Sequence, residues 1–417
     1  MTLPGCLDAR WLREGPLAQV LDILDCDGEE ARVVGGAVRN ALIGAPLGDF
    51  DIATTAIPKE VIRRAEAAGF KAVPTGIDHG TITVVVDGKP FEVTTLREDV
   101  ETFGRHARVA FGRDWKRDAE RRDFTMNALS LSRDGTIHDH VGGLADLAAR
   151  RVRFIGEAGK RIAEDYLRIL RFFRFHASYG HGGVLDREGL AACIAGRAGL
   201  DALSRERVRM EMLRLMVAPH AVPTLAVMAE AGLLEAVLGG VPLLASFSNM
   251  MKLEGELSLV PDAVRRLGAL GVNVVEDAER LRERLRLANA EYERLASMAE
   301  RWRQISAATA EADARALLYR LGPQTYSDRV LLAWARAWDE GVANEPWRKL
   351  ATLPERWHAP SFPLKAADFI ARGVPRGPAL GEALRAAEDA WIAAGFPMDG
   401  AALDAIANRV TRSGRDC

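Results

Sequence analysis

The chain has 417 residues, 48% of them hydrophobic and 27% charged; that is enough core for roughly two to four compact units and excludes a disordered chain, a collagen-like fibre or a polytopic membrane protein. Lys and Arg number 56 against 58 Asp and Glu, and the resulting net charge of −2 advertises no nucleic-acid partner at the level of the whole chain. Aromatic residues make up only 6%, which favours a helix-rich fold over a β-sandwich or barrel.

The first residues, Met-Thr-Leu-Pro-Gly-Cys-Leu-Asp, lack a basic flank followed by an apolar run, so no signal peptide is expected. Short runs rich in Val, Ile and Thr at 31–34, 71–73, 81–86 and 90–95, bounded by Gly, Pro or Asp, read as strands. Helical spacing falls at 37–43 and 59–68, the second opened by Pro58. The segment 97–122, with eight basic and six acidic residues and few apolar ones, reads as a mobile loop.

From about residue 160 the pattern is helical: 160–178, 187–196, 204–217, 223–238, 276–306, 311–320, 326–339 and 379–394. No Ser/Gly linker, low-complexity tract or internal repeat interrupts it. The longest apolar stretches, around 215–245, are broken by Pro219, Pro223, Glu230 and Glu235, so no membrane span is expected. Cys6, Cys26, Cys193 and Cys417 lie far apart, without a CxxC pair or a disulfide framework, which fits a reduced cytoplasm. Eight of the 56 basic residues are lysine, and coding bias accounts for the arginine total.

The chemistry concentrates in Val34-Gly35-Gly36-Ala37-Val38-Arg39 and Asp49-Phe50-Asp51-Ile52. A strand runs into two glycines and a helix, and a second strand carries two carboxylates one residue apart. Residues i and i+2 of a strand share a face, so Asp49 and Asp51 are expected to converge while Phe50 and Ile52 turn to the core. Paired carboxylates form a hard oxygen site suited to Mg²⁺ with substrate phosphates. Gly35 and Gly36 let backbone N–H groups approach a phosphate, and Arg39 can clamp its oxygens.

Taken together, Gly-Gly-Ala-Val-Arg-Asn and Leu-Gly-Asp-Phe-Asp-Ile-Ala-Thr resemble the class II tRNA nucleotidyltransferase (CCA-adding) and bacterial poly(A) polymerase branch of the polymerase-β-type nucleotidyltransferase superfamily. Four further stretches match in order: Arg121–Leu129 resembles the RRDxxxNA segment, Asp139–Leu147 the DPxxGxxDL segment, Glu164–Arg171 the EDxxRxxR segment, and Leu203–Arg207 the LSxER helix start. Asn40 stands where the family usually has Asp, and His140 replaces a common Pro.

The resemblance implies an α+β chain: a polymerase-β-like head over 1–148, then a helical neck (149–215), body (216–290) and tail (291–417). It implies catalysis by Asp49, Asp51 and Glu92, the first two binding Mg²⁺. Arg122 and Asp123 are read as opening a helix, with Asn127 one turn on along the same face, where they reach phosphate and ribose. Asp165 and Arg168, one helical turn apart, offer an acceptor and donors. Cytosine and adenine present an amino donor beside a ring-nitrogen acceptor, whereas uracil and guanine present the reverse, so one Asp–Arg pair accepts C and A without a template. Arg171 and Arg174 continue at that step toward phosphate or tRNA.

Residues 150–214 hold 14 basic and 8 acidic residues, a local excess suited to an RNA acceptor stem. The implied activity is addition of C, C and A to the 3′ end of tRNA from CTP and ATP. A poly(A) polymerase is disfavoured because Pro74–Thr83 replaces that branch's basic segment, and a CC-only enzyme because the stretch from Glu92 to Arg122 is full length. A non-catalytic RNA-binding protein would be expected to lose Asp49, Asp51, Asp165 or Arg168, all present; a small-molecule nucleotidyltransferase would not need the long helical body. Gly373–Gly381 resembles the turn before a terminal helix in the family's tail.

Overall fold

The computed structural model describes residues 3–103, 106–180, 185–339 and 344–413. The chain divides into two compact units, Met1–Pro242 with Arg284–Arg286 and Leu243–Glu283 with Leu287–Cys417.

The first unit begins with α1 (Pro16–Leu24), β1 (Ala31–Val34), α2 (Gly36–Leu42), β2 (Asp51–Thr54) and α3 (Pro58–Ala67). There follow β3 (Lys71–Gly76), β4 (Thr81–Val86), β5 (Lys89–Thr95), β6 (Arg97–Phe103), β7 (His106–Phe111), α4 (Trp115–Glu120), β8 (Ser130–Leu131), β9 (Ile137–His138) and α5 (Gly143–Ala148). Seven strands form one sheet in the order β3-β4-β5-β2-β1-β8-β9. Within it β2 and β5 run parallel, placing Asp51 opposite Glu92, and β1 runs antiparallel to β2. Ile82, Val84 and Val86 alternate inward along β4, and α1 and α3 pack on that strand and on each other. Pro58 occupies the first turn of α3, where its missing N–H costs nothing.

The charged segment expected to be a loop is instead an antiparallel hairpin, β6–β7, followed by α4. A two-stranded ribbon satisfies its backbone without an apolar face, so charge alone hid it. Asp114 caps α4 by accepting from the amides of Lys116 and Arg117.

The helices that complete this unit are α6 (Ala158–Glu164), α7 (Leu167–Tyr179), α8 (Arg187–Ala195), α9 (Arg205–Met216), α10 (Ala221–Glu230) and α11 (Leu233–Leu238). The single helix expected over 160–178 is therefore broken. Asp165 is extended (φ −156°, ψ 105°), and its Oδ1 accepts from the Leu167 amide at 3.1 Å, so the side chain competes with the helix for that donor. The stretch 223–238 likewise breaks at Gly232, which adopts φ 65°. Phe124, Phe154, Phe172 and Phe175 form an aromatic core, with Phe154 stacked on Phe172 at 5.4 Å.

The second unit holds α12 (Leu244–Glu256), α13 (Ala263–Gly271), α14 (Val275–Leu285), α15 (Asn289–Ala299), α16 (Glu311–Ala337), α17 (Glu345–Ala351), α18 (Leu353–Arg356), α19 (Ala366–Ile370), α20 (Pro378–Ala393) and α21 (Gly400–Ser413). The stretch 276–306 splits into α14 and α15 at Arg286 (φ 49°), and α16 kinks at Gly322-Pro323, where two helices were expected. Trp391, Phe396 and Tyr319 anchor an apolar cluster with centroids 5.0–5.5 Å apart.

A buried ion network ties α12, α13, α15 and α16 together. Arg265 donates to Asp328 at 2.8 Å and to Glu254 at 2.9 Å, Arg266 donates to Glu254 at 2.6 Å, and Arg294 donates to Asp328 at 2.9 Å. Because Glu254 and Asp328 are 1% exposed, removing one partner strands the charge of the other. Asp328→Ala is expected to cost about 3–5 kcal/mol, read as a lower urea midpoint at unchanged slope.

Candidate functional site

A cavity of about 510 Å³ in the first unit gathers the ends of β1 and β2, the segment after α4, and helices α7 and α9. Seven arginines line it (Arg39, Arg121, Arg122, Arg168, Arg171, Arg174 and Arg207) against three aspartates, Asp51, Asp123 and Asp165. That excess of positive charge suits a polyanion such as a nucleoside triphosphate. Eleven of the thirteen residues expected in the site reach the wall: Gly35, Gly36, Arg39, Asp51, Arg122, Asp123, Asn127, Asp165, Arg168, Arg171 and Arg174. Asp49 and Glu92 lie outside it.

Gly35 turns β1 into α2 with φ 71°, and its amide donates to the Leu129 carbonyl at 3.1 Å. A Cβ there would meet the Arg122 guanidinium at 3.6 Å, an ordinary contact, so it is the backbone angle that calls for glycine. Arg122 and Arg121 are aimed by Asp118, a buried residue of α4 that accepts from Arg121 at 2.6 Å and from Arg122 at 3.0 Å. Burial works against the Asp118 charge, the two guanidiniums outweigh it, and its pKa lies below the ordinary range.

Asp123 does not open a helix, as its spacing suggested; it sits at a bend, and the extended Phe124 separates it from a 3₁₀ turn at Thr125–Asn127. There its Oδ2 accepts from Arg171 Nε at 2.8 Å, and its Oδ1 accepts from the Phe124 amide at 2.9 Å and from Asn127 at 3.3 Å. Burial disfavours the Arg171 charge but Asp123 more than compensates, raising its pKa. Arg174 pairs with the buried Glu211 of α9, and its guanidinium lies 4.1 Å from the Phe175 ring centre.

Arg39 is 5% exposed. It donates to Asn127, to Asn40 at 2.9 Å and to the Tyr179 hydroxyl at 2.7 Å, and lies 3.8 Å from the Tyr179 ring centre. Burial lowers its pKa. Most of its N–H groups are thus spent inside the protein. Asn40, where an acidic partner was expected, keeps the contact as a neutral acceptor.

The carboxylates meet at the end of the β2–β5 ladder. Asp51 opens β2, whereas Asp49 lies two residues before the strand rather than within it. Asp51 is exposed at the strand end, yet the protein around its carboxyl strips part of the water shell. Together with Glu92 and Asp49, this raises its pKa, and Arg122 pulls the other way. Among the described residues no three His, Cys, Asp or Glu side chains form a metal cage. Mg²⁺ needs no such cage: one or two carboxylates plus substrate phosphates suffice, and crowded carboxylates with hard oxygen donors fit it.

Asp165 and Arg168, the residues expected to select the base, are arranged differently from the helical neighbourhood their spacing implies. Asp165 stands in the break between α6 and α7, and Arg168 on the first turn of α7. Arg168 Nη1 donates to the Arg161 carbonyl at 2.8 Å and to Glu164 at 2.5 Å, while Asp165 accepts from Arg207 at 2.6 Å. Arg121, Arg207, Asp118, Glu211 and Tyr179 escaped the sequence reading. The first two lie inside the matched segments Arg121–Leu129 and Leu203–Arg207; nothing in the sequence points to Tyr179.

Residues 31–153 match the family described as poly A polymerase head domain, and residues 185–247 the family described as probable RNA and SrmB-binding site of polymerase A. The chain is 35% identical over 390 residues to the mitochondrial CCA tRNA nucleotidyltransferase 1 of Danio rerio, covering 92% of this chain and 88% of that one. It is 43% identical over 223 residues to the CCA-adding enzyme of Geobacillus thermodenitrificans, covering 52% and 54%. A crystal structure of the Bacillus stearothermophilus CCA-adding enzyme in complex with CTP superposes with a TM-score of 0.76 at 29% identity, covering 98% of this chain and 100% of that one.

The crowding at Asp51 has a measurable consequence. In metal-free protein its carboxyl is expected to titrate above the ordinary value of about 3.9, and Glu92→Gln, by removing a neighbouring negative charge, is expected to lower that midpoint. Carboxyl carbon chemical shifts followed against pH check both statements.

Proposed function

The chain belongs to the CCA-adding family of tRNA nucleotidyltransferases, and we propose how its residues divide the work. The reaction is template-independent addition of C, C and A to a tRNA 3′ end from CTP and ATP, with release of pyrophosphate. We divide the chain into a catalytic head over 1–148, a neck over 149–215, a body over 216–290 and a tail over 291–417. The observation that carries the reading is the cavity itself, where six further arginines line the wall with Asp165 and Arg168, an acceptor and a donor suited to a base edge.

On this reading the triphosphate lies over the Gly35-Gly36 turn, its charge taken up by Arg122, Arg171 and Arg174. Asp123 accepts from a ribose hydroxyl, and Asn127 fixes Arg39 beneath it. Asp165 accepts from the amino group of cytosine or adenine while Arg168 donates to the adjacent ring nitrogen. The family's chemistry is metal-dependent; we assign Mg²⁺ to Asp49 and Asp51, with Glu92 beside them, where a pair of ions would lower the pKa of the attacking 3′-hydroxyl and neutralise phosphate charge. The arginine-rich neck receives the acceptor stem.

Among the described residues no helix is long and apolar enough to cross a membrane. We place the protein in the cytoplasm on its four scattered cysteines, although the animal relatives are mitochondrial.

Incubating the protein and Mg²⁺ with tRNA lacking its 3′ end is expected to give two additions with CTP alone and a third once ATP is supplied. Stopping at two would mean a CC-adding enzyme, and a long ladder with ATP alone a poly(A) polymerase. Asp49→Ala or Asp51→Ala is expected to lower incorporation by at least about a thousandfold, the several kcal/mol a bound metal contributes; near-normal activity in either would overturn the metal assignment.

A further inference from the structure

We infer that Arg207 is a specificity-determining positioning residue, which holds the Asp165 carboxylate in the one orientation that discriminates between bases; the inference rests on the base-reading role proposed for Asp165 and Arg168. The Arg168 amide donates to the Asp165 carbonyl at 3.0 Å, but the two side chains do not bond to each other. Asp165 Oδ1 accepts from the Leu167 amide at 3.1 Å and its Oδ2 from Arg207 Nη2 at 2.6 Å. Arg168 is held by other groups, its Nη1 on the Arg161 carbonyl at 2.8 Å and on Glu164 at 2.5 Å. Acceptor and donor are thus kept apart by third parties.

The backbone at this point is already fixed. Tyr166 lies flat against Gly199, so closely that a Cβ on Gly199 would come within 2.0 Å of the ring. What remains to be set is the plane of the carboxylate. The Leu167 amide restrains one oxygen, and rotation about that contact is still open. Arg207, reaching in from α9, closes it by taking the other oxygen.

The surrounding charge explains why such a hold is needed. Arg168 and Arg171 line the same cavity, and the Asp165 charge contributes to the field that raises the Arg171 pKa. Released from Arg207, the carboxylate has cations of the site itself to turn to. A direct Asp165–Arg168 pair would consume the acceptor and the donor that read the base edge, and the pocket would then accept a nucleotide by shape and phosphate charge alone. Uracil and guanine, rejected because they meet donor with donor and acceptor with acceptor, would no longer be rejected.

The test is single-turnover incorporation onto tRNA lacking its 3′ end, comparing kcat/KM for CTP with that for UTP in the wild type, Arg207→Ala and Arg207→Lys. Arg207→Ala is expected to reduce the CTP:UTP ratio by about ten- to a hundredfold, the worth of one charge-assisted hydrogen bond, mainly through faster UTP use. Arg207→Lys, which restores a donor without the planar fork, is expected to recover part of the ratio. Equal losses for CTP and UTP, leaving the ratio at its wild-type value, would overturn the inference and reduce Arg207 to a structural or phosphate contact. Should Arg207→Ala not fold, the lysine variant decides: an intermediate ratio supports the inference and an unchanged one overturns it. A wild-type protein that uses CTP and UTP alike would defeat the base-reading proposal itself, which separates the two failures.

Discussion

Asp123 is the point where the strand-bearing and helical halves of the site are joined. Its Oδ2 accepts from Arg171 on α7, while its Oδ1 accepts from Asn127, which in turn accepts from Arg39 on α2. Arg39 closes the circuit by donating to Tyr179, at the far end of α7. One helix is thereby tied at two places, two turns apart, to Asp123 in the segment after α4 and to Arg39 on α2. Hydrogen bonds among ionised and buried groups strengthen one another and are costly to leave half made, so the circuit holds as a unit. It gives Arg39 a part different from the phosphate clamp its place after two glycines suggests: it is buried, and it sets the spacing between the glycine turn and α7.

The same economy governs charge. Seven guanidiniums in one cavity repel one another, and bringing them together requires carboxylates that are not consumed by chemistry. Asp118 serves Arg121 and Arg122, and Glu211 serves Arg174; both acids are buried. Each takes part of an arginine's donor set and leaves the rest facing the cavity. The fork of the guanidinium allows this, because five N–H groups can serve two partners at once, which the point charge of a lysine ammonium does less well. At the ladder end the balance reverses: loss of water around the Asp51 carboxyl, then the charges of Glu92 and Asp49, raise its pKa, and Arg122 opposes them.

The parts of this arrangement legible in the sequence are those written in short-range pattern. Strands β1, β3, β4 and β5 follow β-branched runs between turn residues, and α3 follows Pro58; eleven of thirteen expected residues reach one cavity because they stand in motifs whose order the fold preserves. The illegible parts depend on competition between local and distant partners. No periodicity shows that the Asp165 side chain will take the Leu167 amide and stop a helix whose apolar spacing continues past it. Nor does a charged stretch such as 97–122 reveal that its backbone pairs with itself, since pairing in an isolated ribbon asks little of side chains. Tyr179 and Glu211 matter through contacts made across 140 and 37 residues of chain, and single-sequence spacing carries no trace of either.

The broken helix is where structure and selectivity are most closely linked. In an unbroken helix over 160–178, Asp165 and Arg168 would be i,i+3 neighbours of opposite charge, and such neighbours pair with each other. A self-satisfied pair has nothing left to ask of a base, and rejection of a wrong partner depends on groups that go unpaired when it binds. Interrupting the helix forgoes regular hydrogen bonding at Asp165 and Tyr166, a cost the Leu167 amide contact and the seating of Tyr166 on Gly199 partly offset. In return, Asp165 leaves the helical lattice while Arg168 remains on it, so acceptor and donor are presented from different elements. On the base-reading role proposed for this pair, selection without a template needs that separation, because the protein then carries in its own geometry the pattern that a complementary strand otherwise provides.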